Sequence, residues 1–434
     1  MKKILQSWKN SLKGKQKKRG YQHFDKILDL DKSRDFLIVK QVIKNIENHQ
    51  FLPFIKFQKK EIRYRKNEQR VAMRSQKIRP IMYASHTDAF IYSYFAFLWS
   101  EKYEDYLKKN DIENSVIAYR KIPENSGNKN KCNIHHAKEI FEYIQNKGDC
   151  VAIIIDISNF FDSLKHRELK KQLCTILNQP KLSKAEYKIF KSLTTYRYIL
   201  KNSKEYLELI LKIQKRKRTD AETIYRLGKG SFQKNKSTIG IPQGSPLSGL
   251  MANIYLSEFD KKIKNYSQEV LYKRYSDDII LISDTKKADE LFLVIKALLK
   301  EYSLSLNPAK VFFNTFLYES ETGKILLEVK DGNGKSKNRK YLDYLGFEFD
   351  GKTISIRKKT IQKAYKKAKK KIKKYHLRQT IKNPKKKHQR KKSLNRNRYI
   401  EKSLQVMGQT ESNIYSQKNK LDSFIKRVRR KYTS

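Results

Sequence analysis

The feature that most constrains this 434-residue chain is its charge: 98 Lys and Arg against 44 Asp and Glu leave a formal net charge of +54. A compact state with that much charge of one sign repels itself, and a polyanion relieves the repulsion. Nucleic acid is therefore the expected partner, with an anionic membrane surface a distant second. Yet 38% of the residues are hydrophobic and 12% aromatic, enough apolar material to close real cores, which argues against a wholly disordered basic protein. Two or three packed units are expected at this length. The three cysteines, Cys132, Cys150 and Cys174, form no C-x-x-C pair and have no His at zinc spacing, so they indicate reduced thiols rather than a disulfide framework or a zinc finger. No run of about twenty apolar residues occurs, and the N-terminus returns to basic residues too soon for a signal-peptide core. A soluble, cytoplasmic protein with no membrane partner is expected.

Along the chain, residues 1–60 mix apolar and basic positions at helical spacing. Residues 61–83 alternate basic with apolar side chains around Arg79-Pro80, the pattern of short strands or an extended ribbon. The next stretch, to Tyr106, is aromatic-rich and helix-like. CVAIII is a short β-branched run, a buried strand that ends on Asp156, and Asp162-Ser163 is expected to cap the helix that follows. Residues 175–236 are polar and Lys-rich and are expected to be a helical insertion. GIPQGSPLSGLMANIYL opens with turn signals and becomes a helix rich in small residues, which lets another chain approach closely. VLYKRYSDDIILIS is a strand, a tight acidic turn and a second strand. From residue 357 to the end, 29 Lys or Arg face 3 acidic residues, so about half the net charge lies in the last fifth of the chain. Helices are expected there, with a basic loop at residues 379–398 and a last helix near residues 421–428.

Asp277 and Asp278 are adjacent at a turn between apolar strands. Two carboxylates about 4 Å apart repel by roughly 1 kcal/mol in water and about 4 kcal/mol at an effective dielectric near 20. A cation removes that cost, and Mg²⁺ prefers a few carboxylates plus substrate phosphates to an all-protein cage. Asp156, at the end of a buried strand, is the natural third carboxylate of a two-metal phosphoryl-transfer site. An Asp-Asp pair by itself is more often a solvated turn; here it has company.

Tyr275-Ser276-Asp277-Asp278 resembles the Y-x-D-D box of reverse transcriptases. IDISNFFDS (residues 155–163) resembles their first palm motif and GIPQGSPLSGLMANIYL (residues 240–256) their second. LSLNPAKV (304–311) resembles their L-x-L-N-x-x-K motif, YLDYLGFEF (341–349) their primer grip, and KIRPI (77–81) their fingers motif. The resemblance runs from about residue 77 to 349, with all six motifs in order. It implies an α+β, right-hand polymerase fold: residues 1–60 an N-terminal helical extension, 61–150 fingers, 151–350 a palm of antiparallel sheet backed by helices and carrying the insertion 175–236, and 351–434 a basic helical thumb.

The same resemblance implies roles by position. Asp156, Asp277 and Asp278 match the ligands of two Mg²⁺ ions, with Mn²⁺ as a substitute. Tyr275 matches the residue beneath the primer terminus. Phe161 matches the one that stacks under the sugar and excludes a 2′-hydroxyl, which implies dNTP use, while Phe160 is expected in the core. Gln243 and Gly244 match residues that approach template and incoming nucleotide. Lys77 and Arg79 match the cations on the triphosphate, where Arg can fork onto phosphate oxygens. Lys310 matches the lysine that protonates pyrophosphate, and Leu345, Gly346 and Phe347 match the primer grip.

The implied activity is RNA-directed DNA synthesis, with a noncoding RNA as template or scaffold, dNTPs as substrates and cDNA as product. Among bacterial settings the chain most resembles the defence-associated, antiphage group, in which a homo-oligomer or an accessory defence protein is the further partner. Group II intron and retron enzymes are the alternatives, although the retron N-A-x-x-H motif is not found. An RNA-dependent RNA polymerase, or a retired polymerase acting as an RNA-binding protein, is the reading from another class; Phe161 argues against the first and the full set of carboxylates against the second.

Overall fold

The computed structural model describes residues 2–12, 17, 20–66, 72–124, 127, 129–216, 220–266, 269–320, 324–379, 398–407 and 413–430. They fall into two compact units whose segments alternate along the chain: Met1–Tyr119, Ile157–Tyr266 and Leu298–Ser305 form the first, and Arg120–Asp156, Ser267–Ala297 and Leu306–Ser434 the second.

The first unit is built on a long antiparallel hairpin, Phe54–Lys66 with Ala72–Tyr83, which is the ribbon that alternating basic and apolar residues predict. Residues 175–236 are not helical throughout. Within this stretch Arg197–Leu200 pairs parallel to Phe54–Lys66, and Gln233–Lys234 pairs on its other side. The β-branched and aromatic run RYIL carries that strand, and its one fully buried residue, Ile199, joins Ile55, Phe24 and the helix residues Tyr206, Leu209 and Ile210 in one core. Sequence periodicity missed the strand because four residues between helices are too short to display a period.

The helix His86–Lys109 follows the hairpin. Ser85 caps it, its hydroxyl accepting from the Asp88 N–H at 3.0 Å. Asp25 accepts from the N–H groups of His86 and Thr87 at 3.0 and 2.9 Å, so three of the four unsatisfied donors of the first turn are served. Burial pushes the Asp25 carboxyl up to about 6, and those two N–H donors limit the rise.

The second unit holds a five-stranded antiparallel sheet in the order Leu271–Tyr275, Asp278–Ser283, Cys150–Asp156, Phe312–Glu319, Lys324–Asp331. The central strand CVAIIID is buried at every position, which explains a continuous apolar run where a half-exposed strand would alternate. Ala152 and Ile154 share a core with Ile280, Ile282, Phe316 and the helix Asn133–Lys147, which contributes Ile134, Ala137, Ile140, Phe141 and Ile144. That i, i+3, i+6, i+7, i+10 pattern is an apolar stripe facing the sheet.

A small sheet, Leu342–Tyr344, Phe347–Phe349 and Ile354–Ile356, continues the same core. Helices Lys358–Gln379, Arg398–Met407 and Ile414–Arg430 complete it, burying Ile372, Ile400, Leu404, Ile414, Leu421 and Ile425. Gln417 behaves like one more strand residue: its amide accepts from the Ile356 N–H at 3.0 Å and donates to the Ile356 carbonyl at 3.1 Å. The expected last helix is thus longer than residues 421–428, and residues 380–397, the bulk of the expected basic loop, lie outside the described residues. No described helix is long and apolar enough to cross a membrane.

Candidate active site

Strand register brings the acidic residues together. Asp156 and Asp278 are direct partners across two central strands. Tyr275 pairs with Asp278 to close the neighbouring hairpin, leaving Ser276 and Asp277 as a two-residue turn. Ser276 takes φ +63°, a conformation that costs a non-glycine residue energy. Beneath the turn, Arg274 is fully buried and donates from Nη1 to the Ser276 carbonyl at 3.2 Å. Tight two-residue hairpins favour such a conformation, and here a buried guanidinium helps hold it.

The electrostatics follow from this crowding. Burial, then the charges of Asp277 and Asp156, push the Asp278 carboxyl up to about 7, against a smaller opposing pull from Lys310 and Arg357. Asp277 is raised above the usual carboxylate range, again chiefly by burial. Asp156 is engaged on both oxygens: Lys310 donates from its ammonium to Oδ1, and Asn307 donates to Oδ2 at 3.2 Å. The Asn307 N–H also donates to the Asp156 carbonyl at 2.8 Å, so the 3₁₀ turn Pro308–Lys310 is fastened to the end of the strand.

Among the described residues no three His, Cys, Asp or Glu side chains are drawn together closely enough to chelate a metal ion. The donor set still suits a hard divalent cation: three carboxylates at one end of a sheet, with Asp278 resisting ionisation beside its neighbours, is the field such an ion relieves. Mg²⁺ also takes its remaining ligands from substrate phosphates and water.

Leu345 and Gly346, at φ +46° and +98°, turn the hairpin between Leu342–Tyr344 and Phe347–Phe349. Asn133 donates to the Leu345 carbonyl at 3.0 Å and to the Tyr399 hydroxyl at 3.2 Å, which braces the turn. Phe347 is fully buried, so its side chain serves the core, whereas Leu345 and Gly346 are partly exposed. Arg357 donates to Asp343, and its N–H donates to the Gly346 carbonyl at 3.0 Å.

The first unit holds the other expected residues. Lys77 and Arg79 lie two apart on one face of the long hairpin, opposite Glu61 and Lys59, and Arg79 faces Glu61 at 3.5 Å. The Gln243 carbonyl accepts from the Met82 N–H at 2.8 Å. Gly244, at φ +124°, passes so close to that strand that a Cβ would meet the Met82 carbonyl oxygen at 2.4 Å. Gly244→Ala is expected to cost at least about 2 kcal/mol, from the strained φ and the displaced hairpin together; a fall in the urea midpoint at unchanged slope measures it.

Phe161 is half-buried in the short helix Phe160–Ser163, and its carbonyl accepts from the Ile241 N–H at 2.9 Å. Phe160 is in the core. Asp162 does not cap the next helix: it lies inside Phe160–Ser163, and the helix His166–Ile176 starts after Lys165. The extra turn separates the carboxylate from the helix it was expected to serve.

Three residues of this geometry escaped sequence reading. Asn307 stands in the L-x-L-N-x-x-K stretch, but its partner, Asp156, is 151 positions away and no local pattern links the two. Arg274 and Asn133 gave no signal, the first being one cation among 98.

The family described as "Reverse transcriptase (RNA-dependent DNA polymerase)" matches residues 106–349, more than half of the chain. The chain belongs to the reverse transcriptase family. Membership brings with it the right-hand polymerase class that the motifs implied, and the α+β content agrees. The matched stretch contains Asp156, Phe161, Gln243, Gly244, Tyr275, Asp277, Asp278, Lys310 and residues 345–347, whereas Lys77 and Arg79 precede it.

The retron Ec86 reverse transcriptase of Escherichia coli is 29% identical over 124 residues, which are 27% of this chain and 38% of that protein. The chain thus matches well under half the length of this curated relative. Among solved structures, a C-terminally truncated apo telomerase from Candida tropicalis aligns with a TM-score of 0.36 and 12% identity, covering 72% of this chain and 57% of that one. A telomerase from Candida albicans in complex with the TWJ fragment of telomeric RNA aligns at 0.35 and 13%, covering 91% and 65%.

Proposed function

We propose that the protein is an RNA-directed DNA polymerase that adds dNTPs to a primer 3′-hydroxyl. The observation that carries this reading is the register that sets Asp156 beside Asp278 at the closed end of the Tyr275–Asp278 hairpin, within a chain of the reverse transcriptase family. Asp156, Asp277 and Asp278 are the side chains that would hold Mg²⁺, or Mn²⁺ in its place. Held by these carboxylates, two such ions would supply charge neutralisation and Lewis acidity at the primer hydroxyl and at the leaving pyrophosphate.

The chain's own residues supply the rest. Lys310 gives a proton to the pyrophosphate, and its contact with Asp156 supports that role. Tyr275 supports the primer terminus, and the backbone of Leu345, Gly346 and Phe347 steers the primer strand. Lys77 and Arg79 bind the triphosphate, and Gln243 with Gly244 contacts template and incoming nucleotide. The fingers, palm and thumb assignments of residues 61–150, 151–350 and 351–434 belong to this reading, with the basic last segment tracking duplex phosphates.

Phe161 decides the sugar. Phe161→Val is expected to raise rNTP incorporation relative to dNTP by at least about tenfold, since a smaller side chain no longer opposes a 2′-hydroxyl. Primer extension with each nucleotide set, on an RNA template, measures it. Incorporation of rNTPs but no dNTPs by the unaltered protein would overturn the DNA polymerase assignment.

For the biological setting we propose a defence role on a cognate noncoding RNA that the protein holds as template or scaffold, in the cytoplasm, with cDNA as the product and a second copy or an accessory defence protein as the further partner. The retron relative favours a second reading, a retron-type enzyme. Sequencing RNA and DNA that co-purify from the native locus separates the two, and the absence of any defined RNA would sink both.

A further inference from the structure

The first unit contains a hollow of about 330 Å³ that the polymerase reading does not use. The aromatic residues Phe51, Tyr196 and Tyr225 line it together with the cationic Lys188, Lys191 and Arg197. Among the described residues that line it, none is acidic.

Its walls are held in place from behind. Phe51 stacks on Tyr92 (centroids 5.4 Å apart, planes 20° apart), and Tyr92 stacks on Phe54 (6.0 Å, 15°). Tyr92 is buried and donates to the Ser192 hydroxyl at 3.0 Å. The Tyr225 hydroxyl donates to the Phe51 carbonyl at 2.7 Å, tying the Tyr225 side chain to the Phe51 backbone. His49, edge-on to Phe51 at 4.8 Å, is fixed by a 2.7 Å contact to the Asp88 carboxylate.

The cations come from two elements. Lys188 and Lys191 stand three apart, on one face of the helix Lys184–Thr194. Arg197 lies over the Tyr225 ring at 5.1 Å, in the strand Arg197–Leu200, and its cross-strand partner is Lys234. Aromatic faces stack on any base, and cations contributed by two different elements suit the successive phosphates of a continuing strand.

We propose that this hollow binds one unpaired nucleotide of a single-stranded nucleic acid, its base against the aromatic rings and its flanking phosphates on Lys188, Lys191 and Arg197. A lone nucleotide shares the chemistry, but cations spread over a helix and a strand fit a continuing backbone better than one phosphate group.

The test uses the full-length protein without dNTPs or Mg²⁺, so its outcome is independent of polymerase activity. A single-stranded RNA oligonucleotide carrying one 4-thiouridine is photocrosslinked in about 0.3 M salt, which suppresses diffuse backbone binding, and the adduct is mapped by mass spectrometry. The expected adduct lies on a peptide containing Phe51, Tyr196 or Tyr225. Binding of the same RNA is followed by fluorescence anisotropy. Phe51→Leu is expected to weaken it about fivefold or more and to abolish the advantage of an intact over an abasic oligonucleotide, while Phe51→Trp restores both. The double variant Lys191→Ala/Arg197→Ala is expected to reduce the slope of log affinity against log salt by about 1.4, the share of two phosphates. Adducts only elsewhere, with both variants binding like the parent and melting at the same temperature, overturn the site. Displacement of the RNA by free UMP at equal nucleotide concentration overturns its assignment to a strand.

Discussion

Asp277→Asn is expected to lower dNTP incorporation by about a thousandfold or more while leaving RNA affinity unchanged or slightly tighter. Asparagine keeps the shape and one acceptor oxygen but gives up the charge that would hold a divalent ion against the developing alkoxide. Ion-mediated stabilisation of a phosphoryl-transfer transition state is worth several kcal/mol, and each 1.36 kcal/mol is tenfold in rate. The side chain lies in the two-residue turn closed by Tyr275 and Asp278, where an amide is as acceptable as a carboxylate, so folding should survive. Single-turnover primer extension gives the rate, and anisotropy with labelled RNA gives the affinity. Parental synthesis by the D277N protein would leave the proposed chemistry without its centre.

The second large effect is on stability, and its sign runs against intuition. Burial and the neighbouring charges of Asp277 and Asp156 raise the Asp278 carboxyl from 3.8 to about 7. In the unfolded chain the same group titrates near its ordinary value, so the folded state binds the proton more tightly. Below about pH 4 both states are protonated and no penalty exists. Between about pH 4 and 7 the unfolded chain gives up this proton while the folded protein keeps it, so stability falls over that window, and above 7 the folded protein carries the full cost of ionising a half-buried group beside two like charges. A rise of about three units corresponds to about 4 kcal/mol at most, at 1.36 kcal/mol per unit.

Asp278→Asn removes that penalty. The D278N protein is therefore expected to be more stable than the parent at pH 8 without metal, by a few kcal/mol, with the gap closing toward pH 4. On the proposed metal site, Mg²⁺ is expected to shrink the gap from the other side by binding the folded carboxylates of the parent. Urea unfolding at pH 4.5 to 8.5, with and without Mg²⁺, reads all three trends. A parent that is the more stable protein at pH 8 in the absence of metal would show that the crowding of carboxylates is not felt.

Both effects arise from residues legible in the sequence, and the reason is local. A β-branched run that ends on an acid, and an acidic pair between two apolar strands, announce themselves through composition and period alone. Asp156, Asp277 and Asp278, the hairpin of the Y-x-D-D box and the ribbon that carries Lys77 and Arg79 could all be placed this way. Gly244 was reached only through the resemblance, and its approach to the Met82 carbonyl is a tertiary contact that no local pattern announces.

What the sequence by itself determined, then, was the set of short-range instructions: which runs are strands, where they turn, and that charge demands a polyanion. Tertiary structure alone decided the partnerships. That Asp156 gives its oxygens to Lys310 and Asn307, that a buried Arg274 supports the Ser276 carbonyl, and that Arg197–Leu200 becomes a strand are each settled by groups distant in sequence or by burial. Among 98 cations no local pattern marks the few that lose their water. Burial changes an ionised group's free energy by kcal/mol where an exposed one changes little, and burial is a property of the packed whole.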